Sequence, residues 1–527
     1  MERAGASGDV RLAELVAVLS LGIDLGFDQP MEHVLRQCLI ALRLAEHRGL
    51  DEQTRASVYY TAMLVNIGCH SDAHEQAKWF GDDIGFKGDK YRYRLHSLRG
   101  AVAGLKRIGS GADTRLDRFR IGLEFATGGV KDMNGMIEQH AAMARRLGEQ
   151  LRLPETTIAA LASSYEQWDG RGWPGDLSAD EVPIASRLTT ISEYVEVAHR
   201  SHGLEAARDL ARRGRGKQFD PDLADDLIEH AEILFADLDS VDTFAAVIDA
   251  EPALAATLDE DGCDAALRAI ADFVDLKSPY SLGHSGAVAD LAADAATALG
   301  LDPAAVRTVR RAALVHAFGK LGVSNAVLDK PPPLGPGERE RLRMIPYLTQ
   351  RMLRQSPTLA PLGAIAIQCG ERLDGSGHPA GLSGAAIGRE ARVLAAADVY
   401  RSLCEPRPHR EPLPAGDAAV RLRAEAKAGR LDAEVVEAVL GAAGHRTGRR
   451  AAGPAGLTAR EIDVLRLIAR GLSTREVAER LVISRKTVGN HVEHIYTKIG
   501  CGSRAAAALF ATQHGLLANE ETVPAGG

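Results

Sequence analysis

The chain lacks the features that mark secreted, membrane-spanning or uniformly basic proteins. Its six cysteines, Cys38, Cys69, Cys263, Cys369, Cys404 and Cys501, are scattered without CxxC spacing, which fits a reducing cytoplasm rather than a disulfide framework. No run of eighteen apolar residues occurs, because acids or arginines interrupt every candidate, including "LAELVAVLSLGIDLG" near the start. A membrane span is therefore not expected. The opening "MERAGASGDVRL" has no basic stretch leading into an apolar core, so no secretory signal is expected either. Positive charge is not in excess: the net charge is −8, which excludes a polyanion-binding surface spread over the whole chain. What is present is ordinary soluble composition, 45% hydrophobic and 25% charged. A length of 527 residues exceeds a single core and implies about three to five domains.

The charge is unevenly placed. From Leu457 to Leu517 nine Lys/Arg face five Asp/Glu, a balance of +4 that leaves −12 on the remainder. Only this end suits a polyanion. It follows "GHRTGRRAAGPAG" (Gly444 to Gly456), whose Gly, Ala and Arg content predicts a flexible basic linker. Thr458 and Glu461 have capping-box spacing, and Ile462, Leu465 and Ile468 recur at helical spacing up to Gly471. Thr474 to Leu481 predicts a short second helix, and "VIS" a tight turn. Ser484 is placed to cap a third helix with an inward stripe of Val488, Val492, Ile495 and Ile499. Its outward face carries Arg485, Lys486, Asn490, His494 and Lys498. Two helices joined by a three-residue turn, the second basic outside, have helix-turn-helix geometry for a major groove.

Through "LTAREIDVL", "GLSTREVAERL", "ISRKTVGNHV" and "KIGCGSRAAA" this segment resembles the LuxR-type (GerE-like) DNA-binding domain over about sixty residues. The resemblance implies a four-helix domain, dimeric on double-stranded DNA, with Arg485 to Ile499 as recognition helix. Asn490 is suited to pair with adenine, and Arg485, Lys486 and Thr487 to contact phosphate. Gly489 and Glu493 depart from the family, which often has basic residues there.

The rest of the chain contains an internal repeat. "EQWDGRGWPGDLS" (Glu166 to Ser178) matches "ERLDGSGHPAGLS" (Glu371 to Ser383) at an offset of 205, whereas His33 and Gly68 match His284 and Gly319 at an offset of 251. The difference is an insertion of 46 residues in the first copy. The predicted organisation is a first repeat over 10–250 with an insertion at about 70–130, a second over 262–442, a linker over 443–456 and the helix-turn-helix over 457–518. Both repeats are rich in Ala and Leu at helical spacing, so the expected fold is all-α.

The second copy resembles the HD-GYP branch of the HD phosphohydrolases over about 175 residues, through "SPYSLGHSGAVA", "AALVHAFGKLGV", "ERLDGSGHPAGLSG" and "ARVLAAADVYRSL". The resemblance implies a helical bundle and, in better-known members, hydrolysis of cyclic di-GMP. Two or three metal ions there lower the pKa of a bridging water and neutralise phosphate charge. On that resemblance the ligand positions fall on His284, His316, Ala317, Ile345, Cys369, Gly370 and Asp398, and Lys320 stands where the family has a phosphate-facing catalytic lysine. Ala317 replaces the bridging aspartate, so a dinuclear centre is not expected. Two alternatives remain: one divalent metal on His284, His316 and Asp398 with Cys369 as a soft fourth ligand, or no cofactor and a buried His316–Asp398 ion pair. The second is preferred.

In the first copy the matching positions are His33, Val65, Asn66, His140, Ser164, Tyr165 and Glu193, with Cys69 in place of the lysine. Catalysis there is not expected. The inserted "CHSDAHE" places His70 and His74 one helical turn apart, readable as a zinc half-site or, through Ser71 and Asp72, as a helix start. The signature loops keep their turn residues: Asp169, Gly170, Gly172 and Pro174 in one, Asp374, Gly375, Gly377 and Pro379 in the other. Trp173 and His378 replace the family's tyrosine, and Arg187 and Arg392 also persist. The expected function is a cytoplasmic, homodimeric transcription regulator, its repeats a sensory or dimerising body for a nucleotide or other small-molecule effector. The alternatives are a metal-dependent phosphohydrolase and a protein-interaction scaffold.

Overall fold

The computed structural model describes residues 10–92, 104–111, 114–126, 130–252, 257–445, 454–481, 483–501, 503–514 and 516. Their regular structure is helical apart from two two-residue strands, Val10–Arg11 and Thr257–Leu258, paired antiparallel. The fold is all-α. Most of the expected linker lies outside the described residues. The chain divides into two units, Met1–Ala443 and Gly444–Gly527.

Within the first unit the two copies repeat helix for helix, and local chemistry explains why. His33–His47 and His284–Ala298 each stop at a glycine, Gly49 (φ 66°) and Gly300 (φ 73°), in the left-handed region that only glycine enters without strain. Two residues later Asp51 and Asp302 cap the next helices, Glu52–Leu64 and Pro303–Val315, by accepting from the amides of Thr54 and Ala305. Further on, Ile184–His202 matches Arg389–Cys404, and Pro221–Leu234 matches Ala433–Ala442. Between Phe80 and Val130 the first copy adds the helices Asp83–Arg92 and Arg115–Glu124.

The copies share one core. Leu12–Gly26 buries thirteen of its fifteen residues, partly against the second copy: a Cβ on Gly22 would lie 2.5 Å from Leu321 Cδ1 and 2.7 Å from Met352 Cε. The inserted helix is pinned to the second copy by charge. Asp83, fully buried, pairs with Lys277 (3.2 Å) and Lys87 (3.3 Å) and accepts from Ser324 Oγ (2.7 Å) and the Asn325 amide (2.8 Å). These partners hold its carboxyl below the ordinary range although burial alone would raise it.

The second unit has its own core around Leu457, Val464, Leu465, Val477, Val488 and Ile495. Thr458 and Glu461 form the capping box of Ala459–Ala469, and Ser484 caps Arg485–Ile499 through the Thr487 amide.

Candidate functional site

In the second copy His284 begins its helix, His316 follows Val315, and Asp398 lies inside Arg389–Cys404. Packing of the three segments brings the side chains together. His284 Nε2 lies 3.0 Å and His316 Nε2 3.7 Å from Asp398 Oδ1. Among the described residues this is the only group of three His, Cys, Asp or Glu whose ligand atoms all fall within 4.8 Å of one another.

The remaining ring nitrogens decide the electrostatics. His284 Nδ1 faces the Glu405 carboxylate at 2.7 Å, and His316 Nδ1 faces the Ala313 carbonyl at 2.6 Å. Glu405 is far nearer to His284 Nδ1 than the Arg407 guanidinium at 3.4 Å, and both it and the Ala313 carbonyl are acceptors, so both Nδ1 atoms carry the proton. In their neutral forms the rings therefore turn two Nε2 lone pairs on a carboxylate. That convergence requires a positive charge, either a proton on His284 or a bound cation held by oriented histidines. Burial works against charge on His284, yet Asp398 and Glu405 hold its pKa above the ordinary imidazole value. Burial likewise opposes ionisation of Asp398, and the two histidines still hold its carboxyl well below the usual range. Cys369 Sγ lies 3.7 Å from Asp398 Oδ2, and Lys320 Nζ donates to Ser281 Oγ at 3.2 Å. Gly370 is closed to any larger side chain: a Cβ would lie 2.7 Å from the His378 carbonyl oxygen and 2.9 Å from its Nε2.

The first copy is filled differently. Lys90, on the inserted helix Asp83–Arg92, extends its ammonium to Glu193 (2.5 Å) and Asn66 Oδ1 (2.8 Å). These positions match Asp398 and Ala317. Tyr91 donates to Glu193 at 2.8 Å and lies 3.3 Å from His33 Nε2, while His33 Nδ1 bonds Glu196. Cys69, at the position of Lys320, takes part in a separate chain: Cys69 Sγ is 3.5 Å from His140 Nδ1, and His140 Nε2 is 2.6 Å from Asp72 Oδ2, an ion pair without hydrogen-bond alignment. Despite burial, His140 pulls the Cys69 thiol down, and Cys69 and Asp72 carry the imidazole up to about 9. Cys69 and His140 stand at matched positions in the sequence, but no local motif marks their joining to Asp72 or the reach of Lys90 to Glu193.

Of the two readings of the inserted His70 and His74, a zinc half-site or a helix start, the structure has the helix start: Ala73–Phe80 begins directly after Ser71 and Asp72. His70 packs fully buried against Gly26, kept neutral first by desolvation and then by nearby Lys87 and Lys277. His74 pairs with Asp329 at 2.8 Å.

The signature loops hold themselves. Buried Glu166 accepts from the amides of Gly175 and Asp176, and buried Glu371 from those of Ala380 and Leu382. Trp173 donates its amide to the Tyr165 carbonyl and His378 to Gly370. Asp169 and Asp374 bind the amides two residues on, Gly170 and Gly375 adopt positive φ, and a Cβ on Gly172 or Gly377 would meet backbone at 2.3 Å. Pro174 and Pro379 follow at the turns. Arg187 and Arg392 reach the carboxylates that cap the matching helices Pro221–Leu234 and Ala433–Ala442, Asp220 (2.6 Å) and Asp432 (3.1 Å).

On the recognition helix, Arg485, Lys486, Thr487, Asn490 and His494 are exposed, while Val488 and Ile495 are buried. Thr487 Oγ1 also meets Ser484 Oγ at 2.8 Å. Lys498 is engaged elsewhere, donating to Glu461 (2.7 Å) and the Gly456 carbonyl (3.1 Å).

Comparison with known proteins agrees with this division. Residues 268–435 match the family described as HD domain, and residues 455–511 match "Bacterial regulatory proteins, luxR family". The chain therefore carries an HD domain followed by a luxR-family helix-turn-helix domain. It is 29% identical over 408 residues to the 3'3'-cGAMP-specific phosphodiesterase 3 of Vibrio cholerae, covering 76% of this chain and 88% of that protein. It is 34% identical over 175 residues to the 3'3'-cGAMP-specific phosphodiesterase 1 of the same organism, 32% of this chain and 40% of that one. The crystal structure of the V. cholerae cyclic GMP-AMP-specific phosphodiesterase V-cGAP3 superposes with a TM-score of 0.58 at 25% identity, covering 83% of this chain and 98% of that chain. No helix among the described residues is long and apolar enough to cross a membrane.

Proposed function

We propose that this chain is a homodimeric, cytoplasmic DNA-binding transcription regulator whose two HD-type copies form a sensory and dimerising body. The observation that carries this reading is the outer face of Arg485–Ile499: exposed Arg485, Lys486, Asn490 and His494 over a buried apolar stripe, the arrangement a major groove accepts. The HD copies support a body rather than a catalyst, because Ala317, Ile345 and Gly370 in one and Val65 and Asn66 in the other offer no metal-binding group of the family kind. A signal bound by the body shifts the population between states that present two recognition helices to half-sites about one DNA turn apart. Selection of binding sites from random duplex DNA with the full-length protein tests this. A defined sequence should emerge, Lys486→Ala should weaken all sequences alike, and Asn490→Ala should cost about 1–3 kcal/mol at one base pair. Recovery of no preferred sequence would sink the reading.

A second reading is favoured by the two Nε2 lone pairs facing Asp398, and by relatives whose names state cyclic-dinucleotide hydrolysis. His284, His316 and Asp398 fit a single divalent ion, with Glu405 and the Ala313 carbonyl orienting the rings. Such an ion would supply Lewis acidity at a phosphate. Elemental analysis should then find about one metal per chain, lost in His316→Ala together with a drop in Tm on chelation. Ala317→Asp alone should not restore hydrolysis, since His378 blocks position 370.

A further inference from the structure

Beside the filled site of the first copy lies a cavity of about 920 Å³, within the usual range for small-molecule sites. Six cationic side chains line it: Lys90, Arg92, Arg171, Arg200, Arg213 and Lys217. Lys90, Arg92 and Arg200 are already paired, with Glu193, Asp28 and Glu196, whereas the exposed Arg171 and Lys217 have no ion pair among the described residues. Set in a concave wall, these two cations focus a positive potential that an anion would satisfy. Tyr91, Tyr194, Val197 and Leu210 supply an aromatic and apolar wall on which a planar ring can pack.

We propose that this cavity binds a nucleotide carrying two phosphate charges, without a metal ion, and that this nucleotide is the signal of the body described above, the reading on which the inference rests. Arg171, whose guanidinium suits bidentate contact, and Lys217, a point charge, grip phosphate. A metal is unnecessary because Lys90 already neutralises Glu193. Lys90 and Tyr91 both bond Glu193 and line the cavity, so an occupant touches the same two side chains that close the old site. The signature loop contributes Asp169 and Arg171, which gives its preserved shape a use.

Calorimetric titration of the full-length protein, with a chelator present, tests the proposal using 3'3'-cGAMP, GDP and inorganic pyrophosphate as probes. One nucleotide per chain should bind, cyclic or linear as the two arms distinguish, and more tightly than pyrophosphate. The Arg171→Ala/Lys217→Ala variant, altered at exposed positions, should bind at least ~10-fold more weakly, the loss expected for a charged hydrogen bond. The His284→Ala/His316→Ala variant should bind as the unaltered chain does. Binding that requires metal, that follows His284 and His316 instead, or that is no tighter than for pyrophosphate overturns the proposal. DNA affinity measured in parallel separates the two ideas. Nucleotide binding that leaves DNA affinity unchanged removes the signalling role and keeps the site; DNA binding with no nucleotide bound removes the site and keeps the regulator.

Discussion

In the second copy two imidazole nitrogens converge on Asp398, whereas at the equivalent Glu193 of the first copy the convergent group is the Lys90 ammonium, delivered from an inserted helix. The carboxylate persists in both places. A buried anion on this scaffold must be matched by a cation, but the fold does not dictate whether that cation is a metal, a protonated histidine or a lysine. The contrast extends outward: Lys320 and Ile345 in one copy correspond to Cys69 and His140 in the other, where the thiol Sγ lies 3.5 Å from the imidazole Nδ1.

The strongest way to break the comparison is to detach the insertion. Asp83→Ala leaves Lys277 and Lys87 buried without their anion and should cost about 3–5 kcal/mol in denaturant unfolding of the first unit. A cost below about 1 kcal/mol would mean that the insertion is not held as described. Next comes the plug itself. Lys90→Met leaves Glu193 uncompensated and should destabilise by about 3 kcal/mol, partly recovered in Lys90→Met/Glu193→Gln because the charge needing a partner is then gone.

The third test uses pH. His140 is held at about 9 against an ordinary 6.5, so its contribution is fully present below about pH 6.5 and is lost as pH rises through about 9. Unfolding free energies of the intact chain and His140→Gln should differ by on the order of 2 kcal/mol at pH 6 and converge above pH 9. A constant difference across that window would show His140 to be neutral. The smallest effect compares the retained arginines. Arg187→Ala exposes a mismatch at buried Asp220 and should cost about 2 kcal/mol, while Arg392→Ala, facing the quarter-exposed Asp432, should cost less than about 1 kcal/mol. Equal losses would mean that burial does not distinguish the two loops.

Much of the architecture was legible because its causes are local. Glycine stops at Gly49 and Gly300, caps at Asp51, Asp302, Thr458 and Ser484, and the stripe from Val488 to Ile499 all act within a few residues of themselves. The site was legible in part: His284, His316 and Asp398 lie together, with Cys369 Sγ 3.7 Å from Asp398 Oδ2. Lys498 shows the limit. Its spacing places it on the outer helix face, yet Glu461, 37 residues earlier, takes its ammonium.

The sequence by itself determined that the chain is helical, duplicated and followed by a helix-turn-helix, because backbone hydrogen bonding and side-chain periodicity are short-range. Only the tertiary structure decided that Lys90 meets Glu193 across 103 residues, that Cys69, His140 and Asp72 form one chain, and that six cations surround a single cavity. Such partnerships depend on how helices pack, and desolvation makes them matter: the same charges left on the surface would be screened and indifferent to one another.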